Sequence, residues 1–312
     1  RKENPAEFAL ENETISARLD VSTGAISSLL FSGPGLSFTD GKHPVGLFRI
    51  IDEASLSDCG MSAWLTGSYS RIEPIQGVRF LRKDRVRGPL RQSLTWEASV
   101  RNSRVTVTIS LDKGADGIRF DCACAWLERG SKEKGVIPQL NAIVSLPLSE
   151  SERTFEIPFG SIKRSAQAID VPALRWADIS GILDRTGTEA GVTVYTDSKY
   201  GYRAEQDSLS VSLIRSTYDP DPYPELGEHS FSLALFPHTG KCDPAAAFRK
   251  AACADQPLIV AQTSSHPGGL APEGGFLEVE NSNIVVSAFK QAEDEKGMIV
   301  RLYEVAGKET EV

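Results

Sequence analysis

The sequence predicts an all-β protein built as a large antiparallel β-sandwich. Three features carry this. The first is strict alternation: Val105, Val107, Ile109 and Leu111 fall on one face of a run bounded by polar turns. The second is the succession of strand-length segments with short Gly, Pro, Asp and Ser connections along most of the chain. The third is that helical periodicity is confined to a single Ala-rich stretch near residue 243.

Taken in order, residues 8–20 and 25–31 flank a Ser22-Thr23-Gly24 turn and read as a first hairpin. Residues 94–100, 105–111 and 118–126 alternate and are joined by the turns 101–104 and 112–117, which is an antiparallel meander. Trp96 and Trp126 lie in these runs and are assigned to the core. Cys122 and Cys124, two apart, share one strand face, which suits core packing better than a ligand pair. Residues 136–147, 153–158, 191–195, 209–214 and 230–236 continue the strand pattern. Strands that each bury one face require two packed sheets. Asp243 at the N-cap, Pro244 at the first helical position and an alanine-rich body then predict a short helix over 243–253. A Gly/Pro/Ser loop over 263–275 and strand-like runs at 276–279, 284–289 and 298–304 follow it. The predicted domains are therefore 1–242, a helix and connector over 243–262, and a partial small β unit over 263–312.

The chain has 312 residues, 40% hydrophobic and 24% charged, with a net charge of −8. That is globular composition with about three quarters of the surface buried on folding. The acidic balance argues against nucleic acid or an anionic membrane as a partner. The basic run from Arg79 to Arg91 reads as solvated strand edges and a loop, because Lys and Arg protect exposed edges. No apolar run is long enough to span a membrane, and the start of the chain has neither an initiator Met nor an apolar signal region. The expectation is a piece of a longer protein. The five cysteines, Cys59, Cys122, Cys124, Cys242 and Cys253, match no zinc spacing and are expected as free buried thiols in a reducing cytoplasm.

Chemistry-bearing motifs are sparse. The four histidines have no metal-pair spacing, and there is no nucleophile elbow, P-loop or dinucleotide fingerprint. His238 reads as a hydrogen-bonded strand-end residue, and His229 as either a partner of Glu228 or part of a solvated turn. Asp219 and Asp221, in Asp-Pro-Asp-Pro, read as turn formers rather than a glycosidase acid pair. Asp197-Ser-Lys-Tyr-Gly-Tyr202 has two readings. Tyr200 and Tyr202 beside charged neighbours suit sugar contacts, and they equally suit a hairpin with packed aromatics.

Several stretches occurring in one order carry a resemblance. They are Val171-Pro-Ala-Leu-Arg-Trp-Ala-Asp178, Asp197-Ser-Lys-Tyr-Gly-Tyr202, Leu209-Ser-Val-Ser-Leu-Ile-Arg-Ser216, Asp219-Pro-Asp-Pro222, Gly227-Glu-His-Ser-Phe231 and Ala234-Leu-Phe-Pro-His238. Leu10-Glu-Asn-Glu-Thr-Ile15, Ile157-Pro-Phe-Gly160 and Asn283-Ile-Val-Val-Ser-Ala-Phe-Lys290 extend it. Together they resemble the C-terminal β-domain of glycoside hydrolase family 38, the retaining α-mannosidases, across nearly the whole chain. The resemblance implies a galactose-mutarotase-like supersandwich plus the start of a small C-terminal β unit. It also implies that the nucleophile and the zinc ligands lie in an N-terminal catalytic domain whose motifs are not in this sequence. No catalytic or metal-binding residue is carried over, and this chain alone is expected to be inactive. Its implied partners are that catalytic domain and α-mannoside glycans. The implied substrate contact is Arg215, whose fork suits vicinal hydroxyls; a structural pairing with Asp219 or Glu205 is the alternative role. Tyr200 and Tyr202 are further candidate contacts.

A free-standing carbohydrate-binding or mutarotase-like protein is the alternative. An aldose epimerase needs a His acid and a carboxylate base converging on the sugar ring, and the scattered histidines do not signal one. An interaction role without sugar contact is a third reading.

Overall fold

A computed structural model describes residues 5–56 and 61–312. Within it the chain forms two compact units, one of residues up to Phe155 with Lys163–Cys242, the other of Glu156–Ile162 with Asp243–Val312. No helix among the described residues is long and apolar enough to cross a membrane.

The first unit holds two large antiparallel sheets. The first sheet runs in the spatial order Ala9–Glu11, Ile15–Leu19, Ile26–Phe31, Val45–Ala54, Val136–Ser145, Ser208–Arg215, Gly201–Glu205 and Gln167–Pro172. The second includes, in order, Leu148–Ile157, Trp176–Leu183, Thr188–Thr196, Gly227–Thr239, Ile118–Trp126, Ser103–Asp112 and Arg91–Val100. The alternating meander therefore pairs as expected, with Val107 opposite both Trp96 and Cys122. Its inward residues meet those of the first sheet in one core. Phe48 from the first sheet sits edge-on to Trp96, with ring centroids 5.6 Å apart, and 6.4 Å from Phe120. Gly46 has a φ of +68°, and a Cβ there would lie 2.8 Å from the Phe120 ring. A side chain at 46 would both strain the backbone and overfill this contact.

Trp126 is fully buried and donates its indole N–H to Ser216 Oγ at 2.6 Å. Cys122 and Cys124 are buried in the core. Burial pushes the Cys122 thiol well up and the Cys124 thiol up to about 12. The expectation of five buried thiols needs correction: Cys253 is exposed and Cys242 only half-buried. Cys59 lies outside the described residues.

The first hairpin also differs in detail. Asn12 splits the 8–20 run by accepting from the Thr14 and Ile15 amides, so two short strands, Ala9–Glu11 and Ile15–Leu19, replace one. Of the basic residues of the 79–91 run, Arg79 and Arg87 lie on the short strands Arg79–Phe80 and Val86–Arg87 that pair with Arg91–Val100, Arg91 begins that strand, and Arg82 and Lys83 lie in a 3-10 turn.

In the second unit Asp243 caps the helix Pro244–Asp255, its Oδ1 accepting from Ala245 N at 2.9 Å and Ala246 N at 3.3 Å. Ile284–Gln291 and Met298–Glu304 form an antiparallel hairpin. Tyr303 stands edge-on to Phe159 and Phe248, at 5.5 and 6.0 Å between centroids. Residues 276–279 are not a strand. They pair with no other segment, and Phe276 is 89% exposed, so nothing satisfies a ladder there.

Candidate functional site

The polar chemistry concentrates on the outer face of the first sheet, away from the sandwich core. Alternation along Val45–Ala54 sends Phe48 and Ile50 inward and Arg49, Ile51 and Glu53 outward. On Val136–Ser145, Leu140 and Ala142 face the core, and Gln139 and Asn141 face out. A register shift between Leu140 and Asn141 places Gln139 opposite Arg215 and Asn141 opposite Ser212 on Ser208–Arg215.

At one end Arg215 meets Glu53. Its Nε donates to Glu53 Oε2 at 2.8 Å, and its Nη2 donates to Glu53 Oε1 and to the Leu65 carbonyl, both at 2.7 Å. Glu53 is wholly buried and also accepts from Gly67 N at 2.6 Å and Gln139 Nε2 at 2.5 Å. A Cβ at Gly67 would sit 1.8 Å from the Ala54 carbonyl, so only glycine lets the 65–67 segment come this close. Neither Asp219 nor Glu205, the partners weighed from sequence, pairs with Arg215. The fork binds a carboxylate from a strand 162 residues upstream. Nη1 has no protein partner among the described residues and forms the remaining edge of a guanidinium whose side chain is 16% exposed. Trp64, just before the clamped segment, is 69% exposed.

Further along the face, Arg203 Nε donates to Asp170 Oδ1 at 2.7 Å, Nη1 to the Ala168 carbonyl at 2.7 Å and Nη2 to the Gly67 carbonyl at 3.2 Å. Its guanidinium lies 3.5 Å over the Tyr69 ring centroid. Tyr69 donates its hydroxyl to Asp170 Oδ1 at 3.1 Å. Burial, then the Asp170 charge, push the Tyr69 phenol far up. Between these clusters Arg49 Nε donates to Asn141 Oδ1 at 2.7 Å.

The two tyrosines marked in the sequence part company. Tyr200 is exposed. Tyr202 is a core residue with no exposed surface; its ring stands edge-on to Phe155 at 6.3 Å and its hydroxyl is 3.3 Å from Thr196 Oγ1. The packed-aromatic reading of that segment thus describes Tyr202. Asp221 is a turn former whose Oδ1 accepts from Tyr223 N at 2.8 Å. His238 Nε2 lies 2.8 Å from the buried Asp178 carboxylate, which also accepts from Thr193 Oγ1 at 2.7 Å. His229 contacts the Glu225 carbonyl at 2.7 Å rather than Glu228. Among the described residues no three His, Cys, Asp or Glu side chains gather as a metal set.

Glu53, Arg49 and Arg203 are absent from the sequence-level candidates. Val45–Ala54 is buried on both faces over most of its length, so it reads as an apolar run without the alternation that marks a half-exposed strand. Its signal is the ionisable pair of Arg49 and Glu53 inside that run.

Residues 10–223 match the Glycosyl hydrolases family 38 C-terminal domain. Residues 283–312 match the Glycosyl hydrolases family 38 C-terminal beta sandwich domain. Human Alpha-mannosidase 2C1 is 27% identical over 320 residues, covering 98% of this chain and 29% of the relative. Alpha-mannosidase G of Dictyostelium discoideum is 28% identical over 322 residues, covering 97% of this chain and 28% of the relative. The chain thus spans under a third of the length of these relatives. The crystal structure of an alpha-mannosidase from Enterococcus faecalis V583 shares the fold, with a TM-score of 0.76 at 15% identity over 97% of this chain and 37% of that one. With the family match covering most of its length, the chain belongs to the C-terminal domain of glycosyl hydrolase family 38.

Proposed function

We propose that this chain is the non-catalytic β-portion of a zinc-dependent retaining α-mannosidase, packing on an N-terminal catalytic domain and lending contacts to an α-mannoside. The relatives named as alpha-mannosidases support this, because the chain accounts for about 29% of their length and leaves the remainder to house the chemistry. In such an enzyme two carboxyl groups flank the scissile bond, one as nucleophile and one as acid/base; both would lie outside this chain. The observation that carries the sugar-contact role is the state of Arg215. Glu53 and the Leu65 carbonyl hold three of its donors, and the Nη1 edge keeps two N–H groups in a fixed plane. A fixed pair of donors suits vicinal hydroxyls. Tyr200, exposed, is a second contact in this reading. Buried Cys122 and Cys124 suit a reducing compartment, and we place the protein in the cytoplasm.

The test is hydrolysis of a chromogenic α-mannoside, with zinc added, by this chain and by the chain joined to its upstream catalytic domain. Only the joined form is expected to cleave. In that form Arg215→Lys keeps a cation beside Glu53 and loses the outward edge, and kcat/KM is expected to fall about 10- to 100-fold. Cleavage by the isolated chain would overturn the reading.

A further inference from the structure

Arg49 is the anomaly of the outer face. It is one of three buried arginines in the described structure, with Arg153 and Arg203, and is 7% exposed. Arg203 has Asp170 and two carbonyls. Arg153 has the carbonyls of Ser151, Glu205 and Gln206. Arg49 has a single hydrogen bond, from Nε to the Asn141 amide oxygen. Neither Nη group has a protein acceptor, and no carboxylate lies within ion-pair distance among the described residues. Beside it Asn141 is wholly buried and its Nδ2 donor has no partner. The Arg49 bond fixes which end of the amide is oxygen, so an amide flip does not repair this.

The sheet register shows what surrounds this donor set. Arg49 lies opposite Asn141, Asn141 opposite Ser212, and Ser212 opposite Gly201. Side chains along that row shrink from arginine to none. The acceptors nearby are already used: Asp170 by Arg203 and Tyr69, Asn141 Oδ1 by Arg49 itself. Arginine does not give up its proton in a protein. The Arg49 charge has no carboxylate in direct contact among the described residues. Burial indeed holds the Arg49 guanidinium below the usual arginine range, whereas the Asp52 carboxylate raises that of Arg101.

We propose that Arg49 and Asn141 form an oxyanion-binding subsite, taking a carboxylate or phosphoryl group on the outer face of the first sheet. The donors are Arg49 Nη1 and Nη2 with Asn141 Nδ2. The unpartnered donors of Arg49 and Asn141 select a ligand group that accepts, and a guanidinium fork matches the paired oxygens of a carboxylate or phosphoryl group. Glu205 and Asp170 act on Arg49 through space and oppose an anion, while the Arg203 charge favours one, so affinity is set in the weak range. This site goes beyond the α-mannosidase reading and does not depend on it.

The experiment is calorimetric titration of the full chain with inorganic phosphate and, separately, with glucuronate, using chloride at matched ionic strength and glucose as controls. Thermal unfolding is followed in the same solutions. Saturable binding with a raised Tm is expected. Response to phosphate alone assigns a phosphoryl ligand, and response to glucuronate alone a carboxylate. Arg49→Lys, which keeps the charge and loses the fork, is expected to weaken binding at least about tenfold. Asn141→Asp is near-isosteric and supplies the missing carboxylate from within. It is expected to unfold at higher temperature than wild type and to lose the response to either anion. Absence of saturable binding in the wild type, or binding unchanged in both variants, would overturn the proposal.

Discussion

Two arginines on the same sheet face meet opposite fates. Arg215 and Arg49 both contact the strand pair Val45–Ala54 and Val136–Ser145, one beside Gln139, the other beside Asn141 two residues on. At Arg215 a buried carboxylate takes the fork and two further donors, and the result is a rigid clamp holding the 65–67 segment. At Arg49 the neighbouring group is an amide, which accepts one hydrogen bond and neutralises nothing. The difference between a structural ion pair and an open donor set therefore comes down to a carboxylate present in one place and missing in the other. The low dielectric of a buried face raises the cost of every unpaired group there.

The sharpest way to break this comparison is to remove the carboxylate that makes the clamp. Glu53→Ala strands Arg215, Gln139 and Gly67 N at once, and removing one partner of a buried pair costs about 3–5 kcal/mol. Urea unfolding of the full chain should show that loss in the midpoint. Arg49→Met should behave differently. It leaves Asn141 Oδ1 without a donor, at about 1–3 kcal/mol, but it also removes a buried cation with no carboxylate in direct contact. The two nearly offset, so the variant should fall within about 1 kcal/mol of wild type. Equal losses in the two variants would mean that both arginines are equally well paired.

An effect between these two is expected at the third arginine. Asp170→Asn keeps one acceptor for Arg203 and Tyr69 but removes the charge opposite a side chain that is 2% exposed. A hydrogen bond to a charged group is worth about 1.5–3 kcal/mol, and a loss of about 2 kcal/mol is expected in the same unfolding measurement. A negligible loss would move Arg203 into the class of Arg49.

Legibility in the sequence followed the physics of burial. The meander, whose strands bury one face, carries its period openly, and Asp243-Pro244 marks the helix start through two local rules that the structure repeats. The family resemblance rests on many short stretches spread over the chain, and the family matches cover residues 10–223 and 283–312 of it. The polar cluster was hidden for two reasons. Its central strand is buried on both faces, so its outward residues do not alternate with polar ones. Its key pair also joins positions 162 residues apart, a separation no local pattern encodes. Tyr202 shows the converse. A motif rich in tyrosine looks like surface chemistry until the sheet turns one ring into the core.

The finest test of the comparison is Tyr69→Phe, which touches the paired Arg203 cluster without removing a charge. The ring stays beneath the Arg203 guanidinium, so the cation–π contact persists. Only the hydroxyl donated to Asp170 is lost, at about 1 kcal/mol near neutral pH. The pH dependence then separates this bond from a generic packing loss. The folded-state pKa of Tyr69 is raised, first by burial and then by the Asp170 charge. Stability from the neutral phenol is therefore fully present below the unfolded tyrosine value of about 10 and drains away as pH rises above it. Wild type should lose its advantage over Tyr69→Phe as pH climbs through that range. A gap between the two that stays constant with pH would mean that the hydroxyl is solvated and that Asp170 serves Arg203 alone.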